Sequence, residues 1–160
     1  MSTVLPYNFK HQDDGYRFDT DNGLFYSVTF SDGSFYFAEL PPHIPVFEVS
    51  ISTISLGDYL TAPRDPRVEA TVVEIFRIFF LEHENSIIYV CDNLDHKQAA
   101  RHRKFDMWFR AHAAKELEKY DTHFLVETLE IYASLILHSH NAYKDELIKV
   151  FLRQANEYDK

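Results

Sequence analysis

An uninterrupted apolar run in the middle of the chain, residues 87–90 (Ile-Ile-Tyr-Val), constrains the fold more than any other feature. Such a run is typical of a strand that lies inside a sheet and is covered on both faces. A helical pattern precedes it, because apolar residues recur every three or four positions from Val68 to Phe79. Two strands that are joined by a helix are normally parallel. We therefore predict that this run pairs in parallel with the strand that contains Val49.

Alternating apolar and polar residues predict four strands before that helix. Residues 16–20 and 24–30 alternate on either side of an Asp-Asn-Gly turn, which tolerates the positive φ angles of a tight hairpin. Residues 35–37 (Phe-Tyr-Phe) predict a third strand, and residues 47–52 alternate as a fourth. Helices and strands then follow in turn. Asp95 is placed to cap a second helix.

The end of the chain predicts two more strands and a helix. Residues 123–128 and 131–138 have strand patterns, and the final helix follows Asn141. The complete order, β-β-β-β-α-β-α-β-β-α, predicts an α+β fold with a mixed, mostly antiparallel sheet and one central parallel strand pair.

The length and the absence of linkers predict one domain. A chain of 160 residues is the size of a single domain, and no repeat or low-complexity tract divides it. We predict one domain over 1–160, with N-terminal antiparallel strands at 16–52, an α-β-α-β-β core at 65–140 and a C-terminal helix at 141–158.

Composition and charge limit the classes of function. Lys and Arg number 16 against 25 Asp and Glu, for a formal net charge of −9, which disfavours nucleic acid as a partner. No apolar run approaches the roughly 18 residues of a membrane span, so we predict no membrane contact. Cys91 is the single cysteine, which rules out an intrachain disulfide. We expect a cytoplasmic protein.

A cluster of basic residues in the second helix reverses this charge locally. Lys97, Arg101 and Lys104 fall on one helical stripe, and helix N-termini attract anions. Arg64 and Arg67 begin the first helix, which should open at the same edge of the sheet. The alternative is a solvated helix face without a ligand. We predict an anion-binding or partner-binding site formed by Arg64, Arg67, Asp92, Lys97, Arg101, Lys104 and Trp108.

Histidines and carboxylates give weaker signals. His138 and His140 bring two imidazoles to the end of a strand, but zinc needs at least one more ligand. Other histidines are available, and the sequence does not position them: His43, His83, His112 and His123. Asp92 and Asp95 can form an Asx turn and a helix cap without a metal. We predict a hydrogen-bonded strand end and no metal site.

The order of elements over residues 16–140 resembles the core of the Gcn5-related N-acetyltransferase fold. The resemblance implies a parallel strand pair that splays to admit acyl-coenzyme A. The segment that corresponds to the pyrophosphate-binding motif of that family is 64–70, where Arg67 stands at a glycine position and Glu69 adds a negative charge. Coenzyme A is the cofactor that the resemblance implies, and these departures disfavour it. We predict no resident cofactor.

A set of residues spread over most of the chain carries a second resemblance. Its members are Tyr16, Arg17, Phe18, Asp19, Thr20, Gly23, Tyr26, Asp65, Arg67, Thr71, Tyr89, Val90, Cys91, Asp92, Arg101, Phe105, Trp108, Phe109, Ser134, Leu135 and Ile136. This pattern resembles a small uncharacterised bacterial family, a domain of unknown function. The resemblance implies a shared fold and compartment, and no established activity.

Three interpretations of function follow. The first is a non-catalytic binding or interaction module on an acyltransferase-like frame, with a protein partner or an anionic small molecule. A homodimer is compatible with this interpretation, because the last two strands of one chain can pair with those of a second copy across a two-fold axis. The second is a divergent acyl-coenzyme A-dependent N-acyltransferase, with Tyr89 or Tyr132 as a proton donor. The third is one component of a toxin, defence or regulatory protein pair. Catalytic signatures are missing from the sequence, so enzymatic activity is disfavoured.

Overall fold

The computed structural model describes residues 4–53, 64–91, 97–112 and 115–158. Within these ranges seven strands form one sheet, and three α-helices pack on it. The strands are β1 (Phe9–Gln12), β2 (Gly15–Asp19), β3 (Phe25–Asp32), β4 (Val46–Thr53), β5 (Ser86–Cys91), β6 (Leu117–Val126) and β7 (Leu129–His138). The helices are α1 (Pro66–Phe79), α2 (Gln98–His112) and α3 (Lys144–Tyr158).

The strands lie in the order β1-β2-β3-β4-β5-β7-β6. Neighbouring strands are antiparallel, except that β4 and β5 run parallel, with Val46 opposite Ser86 and Glu48 opposite Ile88. The strand that contains Val49 is β4, and α1 connects it to β5. The predicted α+β fold, with a mixed, mostly antiparallel sheet and one central parallel pair, is confirmed.

Strand β5 is covered on both faces, as its unbroken apolar run predicts. Ile87 and Tyr89 pack in the core with α1 and α2, whereas Ile88 packs in the core with α3. Helices α1 and α2 therefore lie on one face of the sheet and α3 on the other. Each fully buried aliphatic side chain stabilises the fold by about 1.5–3 kcal/mol. None of the helices in the described ranges is long and apolar enough to cross a membrane.

Helix α1 begins as the sequence predicts. The Asp65 carboxylate accepts the N–H of Arg67 at 3.0 Å, and Pro66 occupies the first helical position. Asn141 accepts the N–H of Tyr143 through its side chain at 2.8 Å, so it caps the turn that precedes α3. Asp95, the predicted cap of α2, lies outside the described residues.

The strand predicted at residues 35–37 is wrong, because Ser34–Phe37 form a 3₁₀ helix. The Asp32 carboxylate accepts the Ser34 N–H at 3.0 Å, and this Asx turn bends the chain out of β3. Phe37 is then buried while Phe35 is 63% exposed. Three consecutive aromatic residues do not alternate, so their pattern fits either conformation.

Two strands also have bounds that the sequence did not predict. Strand β1 was missed, because its residues are mostly exposed and show no apolar alternation. Strand β6 begins at Leu117, before the predicted start at 123. Its first residues are polar, and Lys119 and Asp121 form an ion pair within the fold. Residues 117–122 lack the apolar alternation on which the strand prediction depends, so the start of β6 was missed.

The sheet leaves no room for a side chain at Gly15. A Cβ atom there would lie 2.2 Å from the Val28 carbonyl oxygen and 2.8 Å from Thr29 Cα, both backbone atoms of β3. We predict that Gly15→Ala lowers the free energy of unfolding by about 3 kcal/mol, because backbone must move. Urea denaturation measures this loss. Gly23→Ala is the control: at φ +76° with open space around it, it should cost about 1 kcal/mol. Equal losses would contradict the steric account.

Candidate functional site

Helix α2 is basic in an acidic protein. It carries four Lys or Arg side chains and one Asp, whereas the whole chain has a net charge of −9. Arg103 and Arg110 are exposed, and Met107, one turn from each, is 50% exposed. Phe105 and Trp108 point inward and are buried in the core. The outward face of α2 therefore displays two guanidinium groups on either side of an apolar side chain.

The acidic side chain of α2 is neutralised within the fold. Arg110 Nε lies 2.9 Å from Asp106 Oδ2, and Lys119 Nζ lies 2.9 Å from Asp106 Oδ1. Burial alone would raise the pKa of Asp106, but the hydrogen bond and charge of Lys119, together with Arg110, hold the pKa below its usual value. Asp106 is thus ionised and paired at neutral pH. The charge that α2 presents to solvent is positive.

Lys119 fixes the position of α2 on the sheet. Its side chain is 5% exposed, and Nζ lies 2.9 Å from Asp106 of α2 and 2.5 Å from Asp121 of β6. The Ser134 hydroxyl of β7 donates to the same Asp121 carboxylate at 2.6 Å. A buried ammonium group is tolerated only when it is paired. This network therefore joins one helix and two strands at defined distances.

Stacked aromatic rings continue the contact between α2 and strands β6 and β7 towards the start of the helix. Tyr132 of β7 stacks with His102 of α2, 5.0 Å between ring centroids, and with His123 of β6, 4.2 Å between centroids. Gln98, the first residue of α2, donates to Glu130 at 3.4 Å. Burial lowers the pKa of His102, so its ring is neutral near pH 7. The inner face of α2 is therefore packed against the sheet, and its outer face is exposed to solvent.

The binding residues that were predicted on α2 lie in different environments. Lys97 is exposed, and Arg101 and Lys104 are partly exposed. Trp108 is in the core, with Lys104 Nζ 5.4 Å from its ring centroid. Trp108 thus supports the basic surface from beneath. Asp92 lies outside the described residues.

Arg67 holds the start of the chain against α1. Its Nε donates to the Leu5 carbonyl at 3.0 Å, and one terminal nitrogen donates to Asp21 at 3.2 Å. The guanidinium carbon lies 3.9 Å from the centroid of the Tyr7 ring, and the Tyr7 hydroxyl donates to Asp65 at 2.6 Å. These contacts give Arg67 a structural role at the position where an anion was predicted.

The N-terminus of α1 is surrounded by acidic groups. Arg64 Nε lies 3.7 Å from the buried Glu69, and Asp65 caps the helix. Helices α1 and α2 both follow the carboxyl ends of the parallel strands and lie on one face of the sheet. At the start of α1 both arginines contact carboxylates, Arg64 that of Glu69 and Arg67 that of Asp21.

Sequence reasoning missed the residues that anchor α2. Lys119 and Asp121 lie in a segment, 117–122, that no strand pattern marked, and Asp106 is an isolated acid in a basic helix. The signal available was the alternation of charge at Lys119 and Asp121, which places both side chains on one face of a strand. Their partners come from other elements, so the ion pairs needed the tertiary structure.

Comparison with known proteins finds similarity to one uncharacterised family. A family model described as a family of unknown function (DUF6169) matches residues 64–153, from the start of α1 into α3. No curated protein and no solved structure matches the chain. The match confirms the predicted resemblance to a family of unknown function. The resemblance to N-acetyltransferases stays a prediction.

We predict that Lys119→Met destabilises the protein at neutral pH by about 3 kcal/mol, because it leaves two carboxylates without their buried partner. The lowered pKa of Asp106 stabilises the folded protein above the unfolded pKa, about 4, and this contribution is lost as pH falls through the folded value. The difference between variant and wild type should therefore shrink below about pH 4. Urea denaturation at several pH values measures it.

Arg110→Met is the matched control for this prediction. It removes the exposed partner of the same Asp106 carboxylate, so it should change stability by less than about 0.5 kcal/mol. A loss at Lys119 that stays constant with pH would contradict the role of the carboxylates.

Proposed function

The chain belongs to the family of unknown function DUF6169, and we propose that this protein is a non-catalytic interaction module whose helix α2 binds an acidic segment of a protein partner. The observation that carries the proposal is the outward face of α2. Arg103 and Arg110 flank the half-exposed Met107 on a helix of opposite sign to the rest of the chain. A segment with carboxylates around one apolar residue complements this face in both charge and polarity.

The range of electrostatic interactions favours a short acidic segment. Charges in solution are screened beyond about 8 Å at physiological ionic strength, so a short segment on α2 experiences mainly the local cations. A nucleic acid extends further and brings its phosphates close to the acidic remainder of a chain with net charge −9. An acidic partner protein in a toxin, defence or regulatory pair would complement this face of α2 in the same way.

The anchoring of α2 supports the same function. Its inner face is fixed by the buried Phe105 and Trp108 and by the ion pair of Asp106 with Lys119. A surface that is already ordered loses little conformational entropy when it binds. The outward side chains of α2 are therefore presented on a rigid support, as recognition surfaces require.

The acyltransferase alternative requires an anion site at the start of α1. Arg67 is engaged with Leu5, Tyr7 and Asp21. The carboxylates of Asp65 and Glu69 lie in the first turn of α1, the segment that the resemblance to N-acetyltransferases assigns to pyrophosphate. Like charges at this position disfavour coenzyme A. The acyltransferase alternative predicts that the purified protein retains coenzyme A.

A homodimer through β6 is the second part of the proposal. Strand β6 is ten residues long and lies at one edge of the described sheet, paired with β7. Antiparallel pairing of two β6 strands across a two-fold axis would satisfy the hydrogen-bonding groups of that edge. Sedimentation equilibrium tests this contact, and a monomer throughout the micromolar range would contradict it.

We predict that reversing the charge of the outward face abolishes recognition. The probe is a short fluorescein-labelled peptide in which glutamates flank a single leucine, measured by fluorescence anisotropy. The double variant Arg103→Glu/Arg110→Glu should bind it at least about tenfold more weakly than wild type. Added salt should weaken the wild-type complex in the same direction.

The control is Lys10→Glu/Lys149→Glu, which changes two exposed lysines on β1 and α3 and alters the net charge by the same amount. It should bind the peptide as wild type does. An equal loss of peptide affinity in both double variants would show that only the net charge of the protein matters. That result would overturn the proposed surface. Tighter binding of a single-stranded oligonucleotide than of the peptide would overturn the choice of partner.

A further inference from the structure

Three histidines from two turns meet at the edge of the sheet opposite the start of α2. His83 lies between α1 and β5, His138 ends β7, and His140 follows it. One ring nitrogen from each lies within 4.8 Å of the other two. The rings of His83 and His138 stack with centroids 3.8 Å apart, and the His140 centroid is 5.3 Å from that of His138. The topology thus supplies the third imidazole that the sequence did not position.

A buried asparagine holds the two turns together. Asn141 Nδ2 donates to the carbonyl oxygens of Glu84 and Asn85, each at 3.3 Å. The Ser139 N–H donates to the Glu116 carbonyl at 2.7 Å, which ties the second turn to the start of β6. The backbone on which the three histidines stand is therefore ordered by contacts that do not involve their rings.

The cluster opens onto a cleft with charged walls. The cleft has a volume of about 240 Å³, and its lining includes His83, His138, Arg77 and Glu116. His83 and His140 are exposed, whereas His138 is buried. A ligand or a water molecule can therefore reach the ring nitrogens from solvent.

We propose that His83, His138 and His140 bind one zinc ion, with the fourth coordination position open to this cleft and filled by water or a carboxylate. Three imidazoles and one exchangeable ligand complete the tetrahedral coordination that zinc prefers. The cluster, as far as the chain is described, brings together nitrogen ligands alone, which suits zinc better than calcium or magnesium. A neutral imidazole is the form that binds metal.

Zinc binding requires a small contraction of the cluster. With zinc–nitrogen distances of about 2.0–2.1 Å, the nitrogen ligands of a tetrahedral site lie about 3.4 Å from one another. The three ring nitrogens of this cluster now lie within 4.8 Å of one another, so they must move closer together. The exposed His83 and His140 must turn towards the buried His138, and His83 leaves its stack. His138 Nδ1 now accepts the His140 N–H at 3.0 Å. A neutral imidazole has one free lone pair, so ligation of zinc by His138 breaks this hydrogen bond.

Isothermal titration of the metal-free protein with zinc chloride tests the site. We expect one zinc ion per chain, and we expect His83→Ala and His140→Ala each to weaken binding by at least about 100-fold. Both replace exposed side chains, and circular dichroism verifies that the variants remain folded. His11→Ala, which removes an exposed histidine of β1, is the control and should stay within about twofold of wild type.

The amide resonance of His140 gives a second readout by nuclear magnetic resonance. Zinc should shift it in wild type, because the hydrogen bond to His138 is lost, and should leave it unchanged in His83→Ala. Absence of zinc binding by wild type would overturn the proposal. Equal binding by wild type and by the double variant His83→Ala/His140→Ala would assign the ion to another, adventitious position and would overturn it as well.

Discussion

The parallel pairing of β4 and β5 determines where every candidate site lies. Helices α1 and α2 cover one face of β5, and α3 covers the other, so this strand is buried on both faces. Both shared-face helices begin at the carboxyl edge of the parallel pair. Strand β7 runs antiparallel to β5, with Leu137 opposite Ser86. Its end therefore returns to the edge where β5 begins, and that register brings His138 to His83.

The two faces of helix α2 differ in burial and charge. Its inner face is held by aromatic packing and by the ion pair of Lys119 with Asp106, an arrangement that is stable only while both partners are present. Its outer face keeps a positive charge that the rest of the chain does not share. At α1 the corresponding arginine, Arg67, is occupied by the N-terminal segment. The engagement of Arg67 is the reason for which we propose an interaction module and not an enzyme that binds coenzyme A.

The sequence allows the fold to be predicted where the signals are local. The apolar run of β5 and the Asp65 cap of α1 depend on neighbouring residues, and both predictions are confirmed. The strand predicted at 35–37 is wrong because the Asx turn from Asp32 competes with an ambiguous aromatic pattern. The candidate sites depend on contacts between distant residues: Arg67 contacts Leu5, and His83 meets His138. No periodicity in a single sequence contains those distances.

The central claim is that the protein recognises ligands at α2 and not at the start of α1. Native mass spectrometry of the purified protein tests it, with the acidic peptide and acetyl-coenzyme A added at equal concentration. The account predicts one peptide per chain, lost in Arg103→Glu/Arg110→Glu, and no retained acetyl-coenzyme A. Retention of one acetyl-coenzyme A per chain, without the peptide, would contradict it and would move the functional site to α1.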